Sequence, residues 1–228
     1  MSFLRRLALA ACFSAALVFA FQPSTPGVHP ITGRHFANVC GAGPCATWLE
    51  RPEREEEERP DAAIDALKLK PGMVVADIGA GTGFMSLKMA KKVGPTGKVY
   101  AEDVQPEMIA AIKANAAKAK LANVQVVQGT YTDPELPASQ MDLILLVDVY
   151  HEFTEPQKML RGIRAALKPD GRLVLLEYRK EDPSIPIQEL HKMSVADVKA
   201  ELEPEGFKLQ PVIETLPRQH ILILTKTR

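Results

Sequence analysis

Residues 74–83 read VVADIGAGTG, an apolar run that meets a carboxylate and passes at once into three alternating glycines. Met73, Val74, Val75 and Ala76 lack helical spacing, which suits a strand covered on both faces of a parallel sheet. Gly79, Gly81 and Gly83 allow a sharp turn and a close approach of backbone to a ligand. The dinucleotide fingerprint requires G-x-G-x-x-G, whereas the spacing here is G-x-G-x-G and Phe84 stands where its last glycine belongs. A nicotinamide or flavin ligand is therefore disfavoured. The same glycines also suit a turn that binds nothing, so residues further along the chain must decide its role.

From this loop onward the pattern alternates strand and helix, the mark of a mainly parallel α/β sheet. Helical spacing over 84–93 ends at Gly94-Pro95-Thr96-Gly97. A second strand is expected over 98–103, a Pro-initiated helix over 106–120, a third strand over 124–128 and a fourth over 141–148. A helix over 155–167, the turn 168–171 and a strand over 172–178 come next. The tail predicts a helix near 195–203 and two strands, 207–215 and 219–225, paired as an antiparallel edge. Asp103 stands 20 residues after Gly83, at a strand tip where a carboxylate can accept both ribose hydroxyls.

Ahead of the loop, Pro60 opens a short apolar-faced helix over 62–69, closed by Pro71-Gly72. Residues 21–60 are rich in Pro, Gly and charge and are expected to form an irregular lid. Its EREEEER run (53–59) reads as a solvated helical face, and Trp48 as a core anchor. Arg5 and Arg6 precede the apolar run 7–21, which resembles a bacterial export signal cleaved after Ala20. At about 15 residues it is shorter than the roughly 20 of a spanning helix. A retained leader would instead anchor the domain outside, and a cytoplasmic leader is the remaining alternative. Cys40 and Cys45, in CGAGPC, are close enough for a local disulfide in an oxidising compartment. A zinc site with His29 and His35 would match no common ligand spacing, and no metal is expected. With 28 Lys plus Arg against 28 Asp plus Glu, the chain lacks the basic excess of a general nucleic-acid binder.

The region from about Asp61 to Thr225 resembles a class I S-adenosylmethionine-dependent methyltransferase. The resemblance rests on VVADIGAGTG, on VYAEDVQPEMI with Asp103, on MDLILLVDVYHEF with Asp148, and on LKPDGRLVLLE. It implies a three-layer Rossmann-like sandwich for residues 61–228, with a mostly parallel seven-stranded sheet and an antiparallel terminal hairpin. It also implies S-adenosylmethionine as methyl donor, with Asp77 and Gly79 to Gly83 at its methionine portion and Asp103 at the ribose. The adenine contact falls at Thr130, where many members carry Asp, so Tyr131 and Asp133 stay open as alternatives. Asp148 would face the methyl-donor end.

Methyl transfer from a sulfonium is an in-line substitution, so the protein mainly aligns the reactants and excludes water. A protonated nucleophile also requires a base, and His151 and Glu152, just past Asp148, are the candidates; a helix start is the plainer role for that segment. Tyr150, Tyr178, Arg179 and His191 are candidate acceptor-binding residues. The expected partner is a small molecule or an exposed protein group, with membrane contact only through an uncleaved leader. Nucleoside binding without catalysis and aminopropyl transfer are the alternatives. Export would require the donor to be supplied outside the cytoplasm.

Overall fold

The structure, a computed structural model, describes residues 27–227. The leader expected over 1–20 lies outside them, as do the side chains of residues 42, 44 and 45. In chain order the elements are α1 (Ala42–Leu49), α2 (Arg54–Glu57), α3 (Pro60–Ala66), β1 (Val74–Ile78), α4 (Phe84–Val93), β2 (Lys98–Asp103), α5 (Pro106–Lys118), β3 (Val124–Gln128) and β4 (Met141–Val147). They continue with α6 (Pro156–Ala166), β5 (Leu167–Arg179), β6 (Lys192–Met193), α7 (Val195–Leu202), β7 (Phe207–Leu209) and β8 (Gln219–Lys226). Among the described residues no helix is long and apolar enough to cross a membrane.

The sheet order is β3-β2-β1-β4-β5-β8-β7, with β6 paired to β5 off this path. The pairs from β3 to β5 are parallel, and β8 runs antiparallel to both β5 and β7. The seven expected strands are thus present with β8 as the reversed one, and the two-residue β6 is an addition. Strand order reverses between β1 and β4, the place where open α/β sheets bind ligands at the carboxyl ends of their strands.

Side chains alternate across the sheet, so neighbouring residues of one apolar run serve different layers. Val75, Val99, Leu143 and Leu145 pack against α3 and α4 through Ile64, Leu67, Met89 and Val93, and Ala101 adds α5 on the same side through Ile109 and Ile112. Ala76, Ile78, Ile144 and Leu146 meet α6 and α7 through Leu160, Ile163, Val198 and Leu202. This is the expected three-layer sandwich. Helix ends follow local chemistry: Pro106 and Pro156 occupy first turns, where a missing N–H costs nothing. Ser194 and Asp197 form a reciprocal capping box on α7.

Several boundaries differ from the sequence expectation. β5 begins at Leu167 because the turn 168–171 is accommodated as a bulge against β4, where the register shifts between Met141 and Leu143. β7 stops at Leu209, leaving only an isolated bridge from Ile213 to Ile221. The segment before α3 is partly helical rather than irregular. Trp48 is 44% exposed with the Arg51 guanidinium over its ring, so it is not a core anchor. The EREEEER run is not a solvated face throughout, since Arg54 and Glu58 are buried as an ion pair at 2.6 Å.

Candidate active site

At the end of β1 the chain turns through Gly79, Gly81 and Gly83, all with positive φ. A Cβ on Gly79 would stand 2.6 Å from Val149 Cγ2, and one on Gly81 2.5 Å from Leu49 Cδ1. At Gly79 glycine is therefore required by dihedral and by space, since Val149 is stiff, whereas at Gly81 the positive φ decides it because the end of the Leu49 side chain can swing aside. The turn is held from the tip of β2, where Asp103 accepts hydrogen bonds from the Gly81 and Gln105 N–H groups at 2.9 Å each.

Above these ends lies a cleft of about 410 Å³, within the range of small-ligand sites. Its floor includes Gly79, Gly81, Glu102 and Asp103, and its far end Asp148, His151, Glu152, Tyr178 and His191. Val39, Trp48, Leu49, Arg54 and Glu58 close it from the N-terminal side, the location expected of a lid. The lid is tied down by polar contacts. Glu58 accepts from Arg51 at 2.6 Å and from the Tyr178 hydroxyl at 2.7 Å, while Ala37 N–H donates to the His151 carbonyl at 3.0 Å.

The cleft brings together most of the residues singled out in the sequence, but not all. Asp77 lies beneath the loop, where it accepts the Ser86 hydroxyl at 2.6 Å and braces the start of α4. Burial pushes its carboxyl up to about 6, against the opposing pull of Ser86 and Arg54. Gly83 caps α4 and packs on Ile112, so it serves helix entry rather than the cleft wall. Tyr150 is fully buried, stacked edge-on against Phe153 with its hydroxyl 3.5 Å from His29 Nε2, and is a core residue. Arg179 points the other way, bound to Glu214 and to the Leu216 and Pro217 carbonyls, and does not line the cleft. The Thr130 hydroxyl lines the cleft but is engaged in its own turn, accepting from Asp133 N–H at 3.0 Å and Thr132 N–H at 3.2 Å. The exposed Tyr131 beside it also lines the cleft, whereas Asp133 bonds Glu135 N–H instead.

Asp148 sits just past β4 with φ 54, a left-handed conformation that non-glycine residues adopt mainly where surrounding structure enforces it. Its Oδ2 accepts from Gln219 at 2.8 Å, and its buried Oδ1 has no hydrogen-bond partner. Burial raises its pKa well above the ordinary range, and the Glu58 and Glu177 carboxylates add to the effect. A cation brought beside the unpartnered Oδ1 would pull this carboxyl back toward its charged form and supply the missing contact.

Beyond it, a 3-10 turn at Tyr150–Glu152, separate from α6, presents His151. His151 Nδ1 lies 2.6 Å from Glu177 Oε2, and its Nε2 lies 3.1 Å from His191 Nδ1. Burial opposes protonation of His151, but the Glu177 carboxylate outweighs it and the pKa rises. Burial and the His151 charge lower that of His191. Glu152 is pushed up to about 7 by burial. The topology explains how His191 arrives: β6 pairs Tyr178 and Arg179 opposite β8, where β4 has already ended, and this sets the preceding turn above the strand tips.

Three groups lie outside the sequence expectation. Glu177 and Glu102 are acids within apolar strand runs, LVLLEY and VYAED, and that mismatch is a readable signal. The Arg54–Glu58 pair carries none, because its burial depends on a lid whose path no local pattern encodes.

Comparison with known proteins agrees with this geometry. A family model described as a methyltransferase domain matches residues 69–215. The chain is 33% identical over 121 residues to the ubiquinone/menaquinone biosynthesis C-methyltransferase of Escherichia fergusonii, covering 51% of this chain and 47% of that protein. It thus spans about half the length of the curated relatives it matches. A crystal structure of a SAM-dependent methyltransferase from Aquifex aeolicus superposes with a TM-score of 0.76 at 30% identity, covering 82% of this chain and 98% of that one. A putative type 11 methyltransferase from Sulfolobus solfataricus shares the fold at 22% identity, with a TM-score of 0.61 and coverage of 75% and 94%. With the glycine loop, the Asp103 strand tip and the reversed strand β8 all in place, the chain belongs to the class I S-adenosylmethionine-dependent methyltransferases.

Proposed function

We propose that this chain transfers the methyl group of S-adenosylmethionine to a small, largely apolar acceptor. The observation that carries this reading is the continuous cleft that runs from the glycine loop and Asp103 to Asp148 and the His151–His191 pair. When bound, the donor supplies an electrophilic methyl group. The residues present fit it. Asp103 keeps acceptor capacity for ribose hydroxyls beside its two backbone bonds, and Tyr131 offers a face for adenine. The unpartnered Oδ1 of Asp148 suits the donor's ammonium.

At the other end, Phe153, Pro186 and Ile187 give the acceptor an apolar wall, which favours a small molecule over an exposed protein group. Enclosure by the lid excludes water and holds the nucleophile in line with the methyl group. The Glu177-oriented His151 and the adjoining His191 form a relay that can accept the nucleophile's proton. A C-methyl acceptor, as named for the Escherichia fergusonii relative, is one member of this class. The balanced charge speaks against nucleic acid as substrate.

We also infer that the protein is bacterial and exported. The Arg5-Arg6 leader supports this, as does the finding that Cys40 is disulfide-bonded. Recovery of the whole chain from the cytosol with residues 1–20 intact would overturn it. The methyl-transfer reading is tested by calorimetric titration with S-adenosylmethionine, followed by incubation of the labelled donor with an extract of small apolar metabolites. One donor per chain and label in a small molecule are expected; no heat and no thermal shift would refute the reading.

A further inference from the structure

We propose that His151, Glu152 and His191 form a binding site for one divalent transition-metal ion, zinc above all, at the acceptor end of the cleft. One ligand atom from each lies within 4.8 Å of the others. The two ring nitrogens, His151 Nε2 and His191 Nδ1, are 3.1 Å apart. Ligands held at about 2.1 Å around a tetrahedral ion stand about 3.4 Å apart, so the nitrogens are already at ligand spacing; the ion displaces the proton they share, the rings turn both lone pairs toward it, and Glu152 closes from within 4.8 Å.

The surroundings of His151 carry the argument further. Its Nδ1 faces Glu177 Oε2 at 2.6 Å, which assigns the ring proton to Nδ1 and leaves the Nε2 lone pair directed at His191 and the cleft. A carboxylate that fixes the far nitrogen of a histidine is the usual support behind a metal ligand, and it raises the ring's basicity. Glu177 is itself fully buried and held by the Tyr150 N–H at 3.1 Å, so this support is rigid. All three proposed ligands line the cleft, which gives an ion a path from solvent.

Two imidazoles and one carboxylate select zinc, iron(II), cobalt or nickel over magnesium or calcium, which require more oxygen ligands. Three protein ligands leave a coordination position open toward the cleft. The acceptor class implied is therefore a molecule with a hydroxyl or thiol, whose pKa falls on coordination. That role rests on the methyl-transfer reading above and, with the ion bound, takes the place of the proton relay there, since coordinated ring nitrogens accept no proton; the binding of the ion does not rest on that reading.

The test uses the full chain, stripped with a chelator and titrated with cobalt(II), followed by visible absorption and by calorimetry. One equivalent is expected, with ligand-field bands of a low-coordinate site. His191→Ala and Glu152→Gln should each weaken binding at least 10-fold, the range seen when such sites lose even a supporting group. His35→Ala, at an exposed histidine, should leave it unchanged. Circular dichroism identifies any variant that fails to fold, and two ligand variants keep the test decisive. Absence of one-to-one binding, or binding equal in wild type and both ligand variants, overturns the proposal. A parallel titration with S-adenosylmethionine separates the two ideas: donor binding without cobalt binding removes only the metal site, and the reverse removes only the methyl-transfer reading.

Discussion

Glu102 offers a sharp quantitative test of how the cleft floor is built. Its side chain is 1% exposed; Oε2 accepts from Gly79 N–H at 3.2 Å, and buried Oε1 has no hydrogen-bond partner. Burial, reinforced by the Asp103 and Asp77 carboxylates, pushes its pKa from 4.5 up to about 8. Below pH 4.5 the acid is neutral folded or unfolded, and it has no effect on the pH dependence of stability. Between there and pH 8 the unfolded chain ionises while the folded one does not, so stability falls as pH rises. At about 1.4 kcal/mol per pH unit the full loss is about 5 kcal/mol, an upper bound because cleft water screens part of it. Gln has the shape of the neutral acid and keeps the acceptor for Gly79. Glu102→Gln should therefore be more stable than wild type by about 2–5 kcal/mol at pH 8.5 and close to it at pH 4.5. Urea unfolding at a series of pH values measures the difference. Parallel pH profiles for the two proteins would refute the reasoning.

Other residues make separate predictions. Asp103→Asn should weaken S-adenosylmethionine binding about 10–100-fold by calorimetry, the worth of a charge-assisted hydrogen bond; unchanged affinity would remove Asp103 from the ribose site. Gly81→Ala, at φ 57 and facing Leu49, should cost about 1–2 kcal/mol in thermal unfolding and lower donor affinity with it. Glu177→Gln removes the largest influence holding the His151 pKa up and leaves burial opposed only by Glu152 and Asp148, so in the metal-free protein that pKa should drop in an NMR titration. The methyl-transfer pH profile should move down with it. Arg179→Ala, on the side away from the cleft, should cost about 1 kcal/mol of stability and leave turnover unaltered.

Much of the architecture is legible along the chain. β2 and β3 occupy the residues expected, and α4 begins at Phe84, because period and turn residues are local signals. The glycine turn at Gly79 and Gly81 and its contact with Asp103 are equally readable, since a strand tip and the turn after it place their own residues. Of the candidates further along the chain, His151, Glu152, Tyr178 and His191 line the cleft and two others do not. Tyr150, a candidate acceptor contact by its place in the sequence, is a core residue, and Arg179, another, faces Glu214. A single residue's choice of sheet face or turn direction is decided by what packs there, and no sequence spacing records it.

A parallel α/β sheet, its glycine turn and the carboxylate beside it follow from the order of residues alone, because contacts near in the chain or on adjacent strands set them. The remaining features came from packing between distant elements. That packing joined Glu177 from β5, His151 from the turn after β4 and His191 from the turn before β6 into one line, although residue 191 is 40 positions from 151. It also buried Glu58 under Tyr178, 120 positions away. Such contacts depend on strand order and on where β4 stops, and both are properties of the assembled sheet.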